Sequence, residues 1–245
     1  MSATPPERVR LRLSVRGKVR FLSHRDVARV LERAIRRAGI PVAYSQGFSP
    51  RPKLHFGLAL STGYESDAEF VDIDLDPGRE GVREPVGIAA ALGLCLPMGL
   101  RVDAAAGVEP GEASLQDAVT STEWVADVVG DPLEAGERAA SLLASRSHVI
   151  EIVRKGKQVS EDLRPLLVGL AVQPSPLGAP SRDVTRLDFE LGTKPRSVRP
   201  AELFDTLGLG EPLLVRRTHQ WIHSDGRRLE PLGLDAASPH AEVRA

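Results

Sequence analysis

The sequence predicts an α+β protein built from two tandem ferredoxin-like (βαββαβ) units with antiparallel sheets. Three observations carry the prediction. Several stretches alternate apolar and polar residues with period two, and others repeat apolar residues at spacings of three and four. The order strand, helix, strand, strand, helix, strand then runs through the first hundred residues and starts again near residue 121. The expected division is a first unit with a basic motif at 1–104, a linker or a short helix at 105–120, a second unit at 121–223 and a flexible tail at 224–245. With 245 residues, 42% hydrophobic and 27% charged, the chain can bury two modest cores.

The first strand is Val9-Arg10-Leu11-Arg12-Leu13-Ser14-Val15-Arg16, ending at Gly17. Its odd positions face a core, while Arg10, Arg12, Ser14 and Arg16 face either plain solvent or a ligand on a basic sheet surface. Ser23 is the cap of the clearest helix, with Asp26 as a short version of the capping-box acid. Val27, Val30, Leu31, Ala34, Ile35 and Ala38 form its apolar stripe, and Gly39 stops it. Pro41 to Tyr44 and Lys53 to Leu60 read as extended runs, and Glu69 to Asp76 as a strand with an acidic face. A helix between Glu80 and Leu96 and a returning strand at 99–104 complete the unit.

The second pass begins with a strand at 123–129. Asp131 and Pro132 open a helix to Ser145, as cap and first-turn proline. A hairpin turning at Lys155-Gly156-Lys157 follows. Residues 164–172 read equally as helix or strand. A strand at 185–191, a helix from Pro200 to Leu207 and a strand at 213–222 finish the unit.

Composition excludes several functions. Cys95 is the only cysteine, so there is no internal disulfide, no cysteine-rich zinc site and no three-cysteine cradle for an iron–sulfur cluster. It reads as a small buried apolar residue. No window approaches a membrane span, and Met1 to Arg10 has no apolar core to act as a secretion signal, so a cytoplasmic location is expected. No phosphate-binding glycine loop occurs, and no cofactor is expected. The net charge of −1 conceals segregation: residues 1–57 carry 13 Lys/Arg against 3 Asp/Glu, and residues 58–145 carry 4 against 17. So basic an end suits a phosphate backbone or an acidic protein surface, unless the two halves neutralise each other internally.

The most informative stretch is Tyr44-Ser45-Gln46-Gly47-Phe48-Ser49-Pro50-Arg51-Pro52-Lys53-Leu54-His55-Phe56. Prolines stiffen such a loop, and a glycine permits a turn or close backbone approach. Tyr44, Phe48 and Phe56 offer flat faces; Arg51, Lys53 and His55 offer charge or donors. Interleaved rings and cations are what an unpaired nucleic-acid strand needs, because bases stack and phosphates require neutralisation. The competing reading is a structural loop whose rings plug the end of the sheet. The predicted RNA- or partner-binding residues are Arg25, Arg29, Tyr44, Gln46, Phe48, Ser49, Arg51, Lys53, His55, Lys155, Lys157 and Arg164; no catalytic or metal-ligating residue is assigned.

With Phe21-Leu22-Ser23-His24-Arg25-Asp26 and Ala34-Ile35-Arg36-Arg37-Ala38-Gly39, this stretch resembles the radical SAM-linked proteins, a bacterial domain of unknown function. The resemblance runs from about Val9 to His223 and is most specific from Phe21 to Gly63. Val153-Arg154-Lys155-Gly156-Lys157, Asp162-Leu163-Arg164-Pro165-Leu166 and Arg217-Thr218 support it, while Gln220-Trp221 departs from the acidic and aliphatic residues of the family. In that family the domain is fused to, or encoded beside, a radical S-adenosylmethionine protein with a cobalamin-binding-type domain, often near genes for a ribonuclease of the E/G type and for ribosomal proteins. The resemblance implies a non-catalytic partner of a radical SAM protein encoded nearby, acting on RNA (tRNA, rRNA or ribonuclease-associated RNA). Two alternatives stand beside it: a purely protein–protein adaptor, and an RNA-modifying or RNA-cleaving enzyme using His24 or His55 with Lys53. His219 with His223, and Asp72, Asp74 and Asp76, are weak metal candidates.

Overall fold

The computed structural model describes residues 7–154, 156–177, 183–224 and 226–232. The chain is an α+β protein with few helices and mostly antiparallel sheet. It forms two compact units: one holds residues up to Ala118 and those from Arg228 onward, the other Val119–Arg227.

In the first unit the order is β1 (Arg8–Val15), a 3-10 turn (Gly17–Phe21), α1 (His24–Arg37), β2 (Leu54–Phe56), β3 (Glu65–Asp74), α2 (Pro85–Gly93), β4 (Leu100–Gly107) and α3 (Leu115–Ala118). The strands lie in the order β4, β1, β3, β2, each antiparallel to its neighbours. Period-two alternation sends Val9, Leu11 and Leu13 of β1 and Val71 and Ile73 of β3 into one core with Leu31 and Ile35 of α1 and Ile88 and Leu92 of α2. Each of these buried side chains stabilises the unit by roughly 1.5–3 kcal/mol of transfer free energy. Cys95 packs at the margin of this core. The Ser23 hydroxyl accepts the Asp26 N–H at 3.2 Å, as expected of the cap, but also donates to the Asp26 carboxylate at 2.7 Å. One methylene shorter than Glu, Asp26 meets the hydroxyl rather than the backbone of Ser23.

Several expectations shift. Residues 41–44 and 53–60 do not form full strands: Val42 and Tyr44 make isolated bridges to Leu75 and Pro52, and β2 is three residues long. Pro50 and Pro52 lack the N–H groups that a continuous ladder would use. The helix expected from residue 80 starts at Pro85, which suits a first helical position and no later one. Residues 105–118 follow the short-helix alternative rather than a linker. β4 runs to Gly107, and Leu115 of α3 is buried with Ala68, Phe70, Ala104 and Leu232 on the sheet face opposite the main helices. Leu232 and Glu230 belong to the expected tail, yet they close this second face; the tail beyond 232 lies outside the described residues.

The second unit contains β5 (Ser121–Val129), α4 (Pro132–Ala144), β6 (Val149–Arg154), β7 (Lys157–Asp162), a 3-10 turn (Arg164–Leu166), β8 (Leu167–Pro174), β9 (Val184–Gly192), α5 (Pro200–Thr206) and β10 (Pro212–Ser224). Its sheet order is β10, β5, β9, β8, all antiparallel, and β6 with β7 forms a separate hairpin. Asp131 caps α4 by accepting the Leu133 N–H at 2.7 Å. The stretch with two readings is a 3-10 turn, opened by Arg164-Pro165, followed by β8. Trp124 stacks on Phe189 at 6.5 Å, and Phe189 meets Phe204 edge-on at 6.0 Å, which fixes the packing of α5 on this sheet. No helix among the described residues is long and apolar enough to cross a membrane.

Candidate functional site

The arginines of β1 are already paired. Register places Arg8 opposite Asp74 and Arg10 opposite Asp72. Arg8 Nε donates to Asp74 at 2.6 Å, and Arg10 grips Asp72 through Nε at 2.7 Å and a terminal nitrogen at 2.9 Å. The other terminal nitrogen of Arg10 reaches the Pro231 carbonyl at 2.8 Å and Glu112 at 3.3 Å. Arg12 bonds the Asp67 carbonyl and Glu230, each at 2.9 Å, and Arg16 pairs with Asp67 at 2.5 Å. The guanidiniums of this strand are therefore engaged by the chain's own carboxylates and carbonyls, and part of the charge segregation is resolved within the unit, between β1 and β3.

On α1 the outcome is opposite. Arg25, Arg33, Arg36 and Arg37 are exposed and have no carboxylate partner among the described residues. Arg29 meets Asp26 at 3.1 Å, with both side chains well exposed, a pair that neutralises little. That contact comes second to the Ser23 hydroxyl in holding the Asp26 carboxyl below its usual range.

The loop before β2 has a fixed neck and a free tip. Ser45 N–H donates to the Arg51 carbonyl at 2.9 Å, while its hydroxyl accepts the Arg51 N–H at 3.1 Å. Gln46, Phe48, Ser49 and Pro50 hang beyond this neck, all exposed, with Phe48 fully so. Gly47 turns there with φ +130°. Arg51 and Lys53 are exposed and carry no carboxylate partner among the described residues. Tyr44 and Phe56 differ from expectation: both pack against the core, and the Arg79 guanidinium sits 5.6 Å from the Tyr44 ring. Of the three rings, Phe48 is fully exposed, while Tyr44 and Phe56 are half-buried. His55 is tied to Asp74 at 3.1 Å. Alternation along β2 puts it on the face opposite Phe56 and His24, so the two histidines form no acid–base pair.

In the second unit, Lys157 is exposed on the hairpin, and Lys155 lies outside the described residues. Arg164 is a structural tie. Its guanidinium donates to the carbonyls of Leu143 and Leu167 at 3.1 Å each, joining the end of α4 to the start of β8. His219 and His223 turn to different partners: His219 stacks on Trp221 at 4.8 Å beside Glu123, and His223 bonds Thr120 at 2.8 Å. Asp72 and Asp74 are engaged by Arg10, Arg8 and His55, and Asp76 accepts the Gly78 N–H at 2.9 Å.

One feature of the first unit escaped the sequence reading. A cleft of about 550 Å³, including its open mouth, lies under the N-terminal end of α1. Leu13 and Val15 of β1 and Glu69 of β3 supply its base, Val19, Arg20, Leu22, His24 and Val27 one wall, and Phe56, Gly57, Leu58, Leu60 and Ser61 the other. The two walls are stitched by the Gly63 N–H donating to the Arg20 carbonyl at 2.7 Å. His24 meets the Phe56 ring edge-to-face at 4.8 Å and 74°. Arg20 lies 4.9 Å over the exposed Phe21 ring and 3.6 Å from Glu65. The available signal was positional: eight of the cleft's fourteen lining residues come from the stretch Phe21 to Gly63.

Comparison with known proteins gives one family. Residues 8–200 match the model of a family described as an uncharacterized protein conserved in bacteria (DUF2344). No curated protein sequence matches. Among solved structures, a chain of the archaeal box H/ACA sRNP Nop10-Cbf5 complex is similar at 12% identity and a TM-score of 0.39, over 93% of this chain and 49% of that one. The present chain thus spans about half of that relative's length. An unknown protein from Galdieria sulphuraria is similar at 12% identity and a TM-score of 0.23, over 82% of this chain and 87% of the other. Likeness at this level carries no functional argument.

Proposed function

We propose that the chain, which belongs to the bacterial DUF2344 family, is a non-catalytic, cytoplasmic partner of a radical SAM enzyme and binds single-stranded RNA with its first unit. The carrying observation is selective neutralisation. Every arginine of β1 has a partner, whereas Arg25, Arg33, Arg36, Arg37, Arg51 and Lys53 have no carboxylate partner among the described residues, and the fully exposed Phe48 stands beside them in the chain. Exposed cations lend themselves to phosphates, and an exposed ring to base stacking. A ferredoxin-like reading of both units goes with this. Strand orders β4-β1-β3-β2 and β10-β5-β9-β8 support it, with the β6–β7 hairpin as an insertion in the second. The radical SAM partnership rests on the sequence resemblance alone.

The test is an anisotropy titration of a short single-stranded RNA across a salt series. Each phosphate contact contributes a slope of about −0.7 in log K against log salt, so the double variant Arg51→Ala/Lys53→Ala flattens the slope by about 1.4. Affinity indifferent to salt, or a variant slope equal to that of the parent, refutes the reading. A second reading has its own support: Leu94 and Met98, almost fully exposed around the C-terminal end of α2, suit a protein surface better than RNA. Nuclease-resistant co-purification with the radical enzyme, without RNA binding, selects that adaptor.

A further inference from the structure

We infer that the outer edge of β8 pairs with the β8 edge of a second copy of this chain, joining two second units across a two-fold axis; the inference is independent of the RNA-binding reading above. The sheet of the second unit ends at β8, and the β6–β7 hairpin forms a sheet of its own without pairing there. Ser175 N–H donates to the Val184 carbonyl at 2.9 Å. By antiparallel alternation Gln173 and Ala171 then turn their backbone groups towards β9, while Val172 and Leu170 turn theirs outwards. Those outward groups have no hydrogen-bond partner among the described residues. Pro174 takes the next outward place, where its missing N–H removes no ladder bond.

An open edge invites pairing unless charge or a cover blunts it. In the first unit the edge strand β4 carries Arg101 and Asp103, an ion pair at 2.6 Å. β8, Leu167-Val168-Gly169-Leu170-Ala171-Val172-Gln173-Pro174, carries no charge at all. Its sequence also fits a copy of itself. With Leu170 at the axis, Val168 meets Val172 and Gly169 meets Ala171 of the copy; with Ala171 at the axis, Leu170 meets Val172, so either register sets apolar side chains opposite one another. The helix beside this edge matches. α4 lies over β8 and β9, and Arg138 on one flank reaches the Leu207 carbonyl at 2.9 Å. Helical spacing puts Gly136, Ala140 and Leu143 on the opposite flank, where Arg164 ties the Leu143 carbonyl to the start of β8 at 3.1 Å. Ala140 and Leu143 are exposed. A two-fold axis normal to the sheet leaves both copies' helices on one face, about 10 Å apart for strands about 4.8 Å apart, a separation at which helices pack. A strand from a different protein would need no such match of the edge with itself, and the second copy is the occupant this self-complementarity favours.

The experiment is sedimentation velocity on the full chain at low salt and about 1–200 µM, a range that reads micromolar dissociation constants. Four samples are run: the parent, Ala171→Lys, Ala171→Glu, and an equimolar mixture of the two variants. Ala171 is exposed, and alternation with the core-facing Leu170–Phe189 pair puts it on the face away from α4, so each variant should keep the parent's melting temperature. The parent is expected to approach twice the chain's mass as concentration rises, with amide exchange at Leu170 and Val172 slowing in step. Each variant should dimerise about fivefold more weakly, the effect of like charges set opposite across a strand pair, and the mixture should recover the parent's affinity. A parent that stays monomeric throughout overturns the inference and leaves the RNA reading untouched. A dimer that both variants form as readily as the parent uses another surface, which also overturns it. So does a mixture that associates no more tightly than its components, or protection of the Leu170 and Val172 amides that is the same at every concentration.

Discussion

Asp72→Ala tests the claim that the basic first strand is structural. Arg10 and Asp72 form a deeply buried ion pair, their side chains 4% and 3% exposed, joined by two bonds of 2.7 and 2.9 Å. Removing one member of such a pair costs about 3–5 kcal/mol, since the other charge stays buried. Glu112 at 3.3 Å and the Pro231 carbonyl at 2.8 Å remain for Arg10, which places the loss near the lower end, about 3 kcal/mol. For a unit of this size that is a fall of about 10–15 °C in melting temperature. Urea unfolding followed by circular dichroism reads it directly, with Arg101→Ala as control, because the Arg101–Asp103 pair has an arginine 62% exposed. The double replacement Arg10→Met/Asp72→Leu should recover most of the loss, as apolar substitutes of similar volume often do. A loss below about 1 kcal/mol for Asp72→Ala, the value of an exposed pair, would refute the reasoning.

The remaining predictions concern local chemistry. Gly99 has φ +93°, and a Cβ there would strike the Arg16 carbonyl oxygen, so Gly99→Ala should cost about 2 kcal/mol or more in thermal unfolding; an unchanged melting temperature would show that the turn can adjust. Burial opposes ionisation of Asp74, but the hydrogen bonds from Arg8 and His55 outweigh it and hold the carboxyl below its ordinary value. Its contribution is therefore complete above about pH 4 and is lost as pH falls through the lowered folded-state value, so Asp74→Asn should flatten the acid limb of the stability profile. Asp131→Ala removes the cap of α4 and should cost about 1 kcal/mol, measured by urea midpoint at constant slope. Arg12→Ala should leave the salt slope of RNA binding where it was, because that guanidinium is held by Asp67 and Glu230.

Much of the fold was legible because its signals are local. The alternation of Val9 to Val15, the cap at Ser23 and the Asp131-Pro132 start each depend on a few neighbouring residues, and each element lies where it was expected. What was not legible depends on distant partners. Nothing near Arg10 reveals that Asp72 and Pro231 will enclose it, so a strand face that looked available for a ligand is in fact consumed. Tyr44 and Phe56 likewise read as presented rings, until the core claims one side of each. Within the candidate site, the loop tip and its cations were readable from composition. The cleft was not, because Leu13, Arg20, His24, Phe56 and Glu69 meet only once the sheet has formed.

The return of the chain after Arg228 makes the first unit discontinuous, and this has a consequence on the ribosome. Arg10 waits for Pro231, 221 positions downstream, and Leu115 for Leu232. At about 5–20 residues per second, roughly 5–20 s separate the emergence of the first unit's body from that of its last segment. Throughout that interval the nascent sheet carries an unsealed face and a half-satisfied guanidinium. A nonsense codon only a few triplets before residue 231 would therefore damage the amino-terminal surface rather than the unit translated just before it.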